Sequence, residues 1–318
     1  MVEDITETVT EEIIINAQPE FVQNSNEEVS ANFFVLCEQN DEGLDKNLYE
    51  YKLLGVPMVN WVQRACLARP MTVKVQKNAD IISLVRPYAN SADYTVVLFA
   101  NTPLVSSEHI KDLLAFVQRK NMNAMKLKKG YVFNNEYILS VDELYSADTY
   151  NFSTDDFFEV NSLADFEDAK YILNEKLVKF HAGNSVEFLG LNQNIDAGVQ
   201  IGYASKICSG ATLEGKTSLG VENTIRSAAI VVNSKLGDSV DVGEGSIIVN
   251  SIIKSGSKIG AGSIIKNSVI APNANIGEGA KIADSALSEN LIVGNFVVVT
   301  GTKVIENLND GEVLTRKV

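Results

Sequence analysis

Several things are scarce in this chain, and each scarcity excludes a class of protein. Among 318 residues there are one tryptophan, two histidines, three cysteines and six prolines. Cys37, Cys66 and Cys208 are odd in number and follow no metal-ligand or disulfide spacing, so they read as reduced thiols. No apolar run approaches the ~20 residues of a membrane span. Basic residues are missing where the acids gather: residues 1–50 hold 13 acids against the single Lys46, out of a net charge of −14. Without a basic face, non-specific binding to nucleic acid or to an anionic membrane is excluded. Acids also stand where a secretory signal would carry Lys or Arg. The expectation is a cytoplasmic protein.

What the sequence has in abundance is a repeat. Three aliphatic columns recur at one constant interval: Leu219, Leu236, Ile253, Ile270, Leu287, Val304; then Ile225, Val242, Ile259, Ile276, Val293; then Val231, Ile248, Ile265, Ile282, Val299. Upstream the spacing is six, through Ile195, Ile201, Ile207, Leu213 and Leu219. Gly243, Gly260, Gly277 and Gly294 follow the second column, and Asn233, Asn250, Asn267 and Asp284 each precede a serine. Glycine here is expected to serve turns with φ > 0. Stacked coils bury each aliphatic residue against its equivalents above and below, a core that no single repeat could form. The periodicity predicts a parallel β-helix of about six coils. A two-sheet sandwich would not hold three columns in register.

The first half reads differently. Residues 1–31 are acidic and polar around Ile13 to Ile15, and are expected to form a mobile tail, with an edge strand as the competing reading. Phe33 to Leu36 and Thr95 to Phe99 read as buried strands, and Met71 to Val75 as a strand. Pro57 suits the start of a helix with Met58, Val62, Ala65 and Cys66 on its apolar face. Ala79 to Val85 reads as a helix, as does His109 to Lys120 after Ser106-Ser107-Glu108. Val132-Phe133 and Tyr137 to Leu139 read as two short strands. Phe166, Ala169, Ile172, Leu173 and Leu177 give an amphipathic linking helix that Gly183 ends. Strands alternating with helices imply a parallel sheet packed under helices.

Hexad spacing resembles the hexapeptide-repeat family, which implies a left-handed triangular prism. The order of parts resembles a sugar nucleotidyltransferase head joined to such coils. It resembles the bacterial bifunctional N-acetylglucosamine-1-phosphate uridylyltransferase / glucosamine-1-phosphate acetyltransferase family. Leu53-Leu54-Gly55-Val56-Pro57-Met58-Val59 resembles its L-x-G-[KR]-P-M-[IV] stretch. Val96-Val97-Leu98-Phe99-Ala100-Asn101-Thr102-Pro103-Leu104 resembles its V-L-x-x-x-G-D-x-P-L strand and loop. Val160-Asn161-Ser162 resembles its V-N-[NST], and Lys266-Asn267-Ser268-Val269-Ile270 its I-K-N-S-V-I. The fold this implies is a small, mostly parallel Rossmann-like α/β head followed by an all-β left-handed parallel β-helix. The expected parts are an acidic tail (1–31), a truncated head (32–160), a linking helix (161–184), coils (185–306) and a C-terminal tail (307–318).

The departures from that family are chemical. Its Gly-rich loop, where bare backbone amides approach nucleotide phosphates, is replaced by Leu36-Cys37-Glu38-Gln39-Asn40-Asp41-Glu42-Gly43. The loop's P-K pair corresponds to about Asn47-Leu48. The G-D whose aspartate would hold Mg²⁺ is Ala100-Asn101, and a neutral amide is a poorer magnesium ligand. Asn161 matches the second metal contact. The stretch from Phe33 to Val160 is short for a head of this family, so part of the sugar-binding half is missing. The coils contain no histidine to act as general base for acyl transfer, since His109 and His181 both precede them.

Individual residues admit plainer readings. Lys126, Lys128 and Lys129 could touch phosphate, but a solvated loop is the stronger reading. Glu38, Asp41 and Glu42 could bind a cation, against a mobile acidic loop. Asn101 could orient a ligand or be a turn residue, and Asn161 could bind or be a helix N-cap. Cys208 reads as structural. The expected function is a nucleotidyltransferase-like protein without catalysis, an oligomeric scaffold or ligand-binding module with no catalytic residue. Asn101 and Asn161 are its substrate-binding candidates, and a nucleotide sugar or sugar phosphate is the candidate ligand. A trimer through the coils is implied by the resemblance; Mg²⁺ belongs only to the alternative of a divergent active nucleotidyltransferase. A coil-borne acyltransferase is the further alternative.

Overall fold

The computed structural model describes residues 30–38, 47–145, 149–151 and 157–315. The Ile13–Ile15 patch and the acids Asp41 and Glu42 lie outside them. The described residues divide between Leu173 and Asn174 into two compact units.

The first unit is built on one six-stranded sheet. Its strands are β1 (Ala31–Glu38), β2 (Met71–Val75), β3 (Tyr94–Phe99), β4 (Ala124–Leu127), β5 (Gly130–Asn134) and β6 (Thr149–Asn151), in the order β2-β1-β3-β5-β4-β6. β1 runs parallel to β2 and β3, and β4 to β6, while β5 is antiparallel to both its neighbours. The sheet is therefore Rossmann-like and mixed, with one reversed strand. Helices cover both faces, which is why β1 and β3 are continuous apolar runs. Phe33, Val35 and Cys37 point to the side of α1 (Met58–Ala65) and α3 (Ser107–Lys120). Phe34 and Leu36 point to α2 (Ile81–Val85) and α4 (Asn135–Ser140).

Two expectations for this unit change. Tyr137 to Leu139 is not a strand: the Asn134 side chain accepts from the Glu136 N–H at 2.8 Å and starts α4. β4 is unexpected, because Lys126 interrupts its apolar residues. In the sheet Lys126 simply faces out while Ala124, Met125 and Leu127 are buried.

In the second unit, three parallel sheets of eight, seven and seven strands form a β-helix of about eight turns. Every residue of the three aliphatic columns is buried. The first coils are longer: Asn194 pairs with Thr212 and Thr212 with Ile230. From Ser218, paired with Lys235, the coils up to Val298–Thr300 are shorter by one, because the turn loses a residue at Asn233-Ser234. Asn233, Asn250, Asn267 and Asp284 turn there at φ 47 to 49°. Coils also continue past residue 306, since Val313–Thr315 adds a strand beside Val298–Thr300 and Leu308 is buried. The glycines split into two kinds. Gly245, Gly262 and Gly279 take φ of 63 to 66°, as expected. Gly260 has no positive φ; a Cβ there would stand 2.5 Å from the Glu278 nitrogen in the next coil, so close stacking requires it.

α5 (Leu163–Gly183) runs across the division between the units and ends at the expected glycine. Among the described residues, no helix is long and apolar enough to cross a membrane.

Candidate functional site

The carboxyl ends of β1 and β3 bring the head's polar residues together, the position where open α/β sheets place their ligands. The loop after β3 is fixed by its own backbone. Ala100 N–H donates to the Leu36 carbonyl at 2.8 Å, and Thr102 donates to Phe99 O through both N–H and hydroxyl. That leaves Asn101 half-buried and facing the segment before α5. Its carbonyl accepts from Val160 N–H at 2.9 Å. Its Nδ2 lies 3.3 Å from Val160 O, 3.3 Å from Asn161 Oδ1 and 3.4 Å from Glu159 Oε1. Asn101 and Asn161, far apart in the chain, are thus direct neighbours.

Asn161 does not cap the helix. Ser162 does, its hydroxyl accepting from Asp165 N–H at 3.2 Å, while the Asp165 carboxylate accepts from Asn161 and Ser162 N–H. The Ser162 hydroxyl and these backbone donors hold the Asp165 carboxyl below its ordinary range.

Lys129 is the residue that the sequence reading places wrongly, in a solvated loop. The two-residue turn between β4 and β5 carries Lys128 outward and exposed, but turns Lys129 inward. Its ammonium stands 2.8 Å from Glu38 Oε2, 3.2 Å from Glu159 Oε1 and 4.7 Å from the centre of the Phe99 ring. Burial works against its charge, yet Glu38 and Glu159 outweigh that and raise its pKa. It is not part of a solvated loop; Lys126 and Lys128, by contrast, are exposed. Its partners lie far away in sequence, so charge patterning along the chain gives no sign of the pairing.

The site does not fit Mg²⁺, which seeks near-octahedral oxygen ligands. The two carboxylates that could supply oxygens already converge on an ammonium, and Asn101 presents its amide nitrogen to its neighbours. Among the described residues no cluster of three His, Cys, Asp or Glu could hold a metal.

The coils offer one shallow groove of about 250 Å³ around Arg226, Asp241, Lys258, Gly260 and Glu278. Arg226 is tied there to Asp241 by two 2.8 Å bonds. Neither histidine enters such a groove. His109 sits in the capping box of α3, and buried His181 belongs to α5, where burial lowers its pKa. Cys208 is half-buried on a coil strand, whereas burial pushes the thiols of Cys37 and Cys66, both in the head core, up to about 11 and about 12.

No protein-family model matches this chain. It is similar to the bifunctional protein GlmU of Clostridioides difficile (strain 630), 23% identical over 227 residues, covering 51% of this chain and 50% of that one. The chain therefore spans about half the length of that curated relative. Among solved structures, CMP:2-keto-3-deoxy-manno-octonic acid synthetase complexed with CTP aligns at TM-score 0.36 and 9% identity, covering 46% of this chain and 99% of that one. A cytidylyltransferase from Leptospira borgpetersenii serovar Hardjo-bovis (strain JB197) aligns at TM-score 0.35 and 11% identity, over 49% and 96% respectively. This chain, a Rossmann-like head followed by a β-solenoid, is thus similar to GlmU over about half its length.

Proposed function

We propose that this protein is a nucleotidyltransferase-like scaffold or ligand-binding module that no longer transfers nucleotides. The observation that carries the reading is the closed ion pairing of Lys129 with Glu38 and Glu159 beside Asn101. Phosphoryl and nucleotidyl transfer depend on positioned charge that neutralises phosphate oxygens. Here the inward-facing cation at the strand ends is already neutralised, and two carboxylates stand where phosphate would approach. Asn101 and Asn161 remain as hydrogen-bonding groups for a nucleotide sugar or sugar phosphate held without metal. The test is pyrophosphate release from UTP and N-acetylglucosamine 1-phosphate with Mg²⁺. Release at the blank level is expected, and release well above it overturns the reading.

Assembly through the coils belongs to the same proposal. Strand alternation turns Ile230, Val232, Ile247, Val249 and Ile264 outward on one face, an apolar row that supports self-association as a trimer. Sedimentation should give three times the 34.6 kDa chain mass, and Ile247→Glu should give monomers. An unchanged mass in that variant counts against this face. Reduced thiols and the acidic balance support a cytoplasmic setting.

A further inference from the structure

Four oxygens, from Glu38, Glu159, Val160 and Asn161, converge at the carboxyl ends of β1 and β3, and two nitrogens hold them. One nitrogen is the Asn101 amide and the other is the Lys129 ammonium. Two carboxylates with carbonyl and carboxamide oxygens are the donor set that hard divalent cations take. The positive charge gathered there is instead covalently part of the chain.

We propose that Lys129 is a tethered counter-ion: it fills an oxygen-lined cation site, so the head binds no divalent metal while that side chain is present. Three features beyond the ion pairing support this. The Lys129 ammonium lies over the Phe99 ring, a cation-attracting wall that holds it beside the carboxylates. The next residue, Gly130, has φ +134° and comes so close to Val97 O that a Cβ would stand 2.5 Å from it. The turn bearing Lys129 is therefore locked onto β3, not free to swing out. Finally, the Lys129 and Glu38 side chains are mostly shielded from solvent, 23% and 26% exposed, so solvent cations compete poorly for the pair.

This inference takes its site from the proposed function, and its failure can be told apart from failure of that reading. The experiment measures Glu159-dependent Mn²⁺ uptake by the full chain, as the difference between each protein and its Glu159→Gln counterpart, using electron paramagnetic resonance of free Mn²⁺. Wild type is expected to show no such uptake. Lys129→Met keeps an unbranched side chain of similar bulk and removes the ammonium from both carboxylates, leaving Glu159 only its contact with the Asn101 amide. It is expected to gain a site with a dissociation constant on the order of 10⁻⁴ to 10⁻³ M, the weak end of oxygen-donor cation sites, and Mn²⁺ should raise its melting midpoint. Glu159-dependent uptake by wild type overturns the proposal even if the variant fails to fold. A folded Lys129→Met without uptake also overturns it. Nucleotidyl transfer in excess EDTA would overturn the proposed function and leave this inference standing. Mn²⁺ uptake by wild type without turnover would do the reverse.

Discussion

Gly130 shows how one residue without a side chain can place another with one. It sits at φ +134°, where L side chains are rare, and a Cβ would stand 2.5 Å from the backbone oxygen of Val97. Both penalties fall on the same substitution. Gly130→Ala should cost about 2 to 4 kcal/mol, combining backbone strain with a backbone clash that no rotamer change relieves. Urea unfolding followed by tryptophan fluorescence measures it; a loss below about 0.5 kcal/mol, ordinary for a surface change, would mean the turn is not locked. The same position explains why Lys129 reads as solvent-facing in the sequence. A lysine in a K-x-K-K-G run looks like solvated charge, and its partners Glu38 and Glu159 belong to distant segments on either side of it. Asn101 and Asn161 are legible as candidates because each stands in a local pattern, strand then loop, or loop then helix. That they touch is not, since nothing local encodes a contact between such distant segments.

At the scale of the element, the coil turn is the informative unit. Its serines form a buried ladder along the solenoid: Ser251, Ser268 and Ser285 N–H donate to Ser234, Ser251 and Ser268 Oγ at 3.0 to 3.1 Å. Each hydroxyl in turn donates to a carbonyl two residues back in its own coil. Asn-Ser is visible in the sequence as a repeating pair, but its work is split between the two residues. Asparagine or aspartate tolerates the left-handed φ, and serine satisfies the backbone N–H that a two-residue turn would otherwise orphan. Ser251→Ala tests this. Val249 O keeps a second donor in Asn267 N–H, so the damage falls on Ser268 N–H alone. A loss of about 1 to 3 kcal/mol is expected from one buried unsatisfied group. The exposed Asn250→Ser, which leaves the ladder intact, should cost less, and thermal unfolding of the two variants compares them. If Ser251→Ala is as stable as wild type, the ladder is not stabilising. Periodicity of this kind makes the coils legible in detail, yet two turns escape the count. One lies before the constant interval begins, where Glu187–Leu189 pairs with Lys206–Cys208; the other is the last strand, Val313–Thr315, whose Leu314 pairs with the column residue Val299 at a shorter interval than the repeat. The helix Asn135–Ser140 escapes for another reason: it is too short to show a 3.6 period, and only the Asn134 cap marks it.

The whole molecule has separate cores, and this sets how it should unfold. The buried cluster of the coils runs from Val186 to Leu308, and both clusters of the head lie between Phe33 and Phe157. Among the described residues no buried side chain belongs to both sets, so core packing gives no reason for the two to melt together, and stacked repeats lose cooperativity of their own accord. A single tryptophan makes the point measurable. Trp61 lies on α1, with its indole N–H donating to Leu53 O at 3.0 Å, and reports the head alone. Far-ultraviolet circular dichroism is dominated in its β signal by the coils. Ile265, fully buried in the third column with coils above and below, is the residue to truncate. Ile265→Ala should remove about 2 to 5 kcal/mol, the transfer of the lost carbons plus the cavity they leave. Its urea midpoint by circular dichroism should fall while the fluorescence midpoint stays at the wild-type value. Val62→Ala, buried on α1, should do the opposite. If both probes shift together in both variants, the two cores unfold as one cooperative unit, and the division of the buried residues into separate clusters has no thermodynamic counterpart.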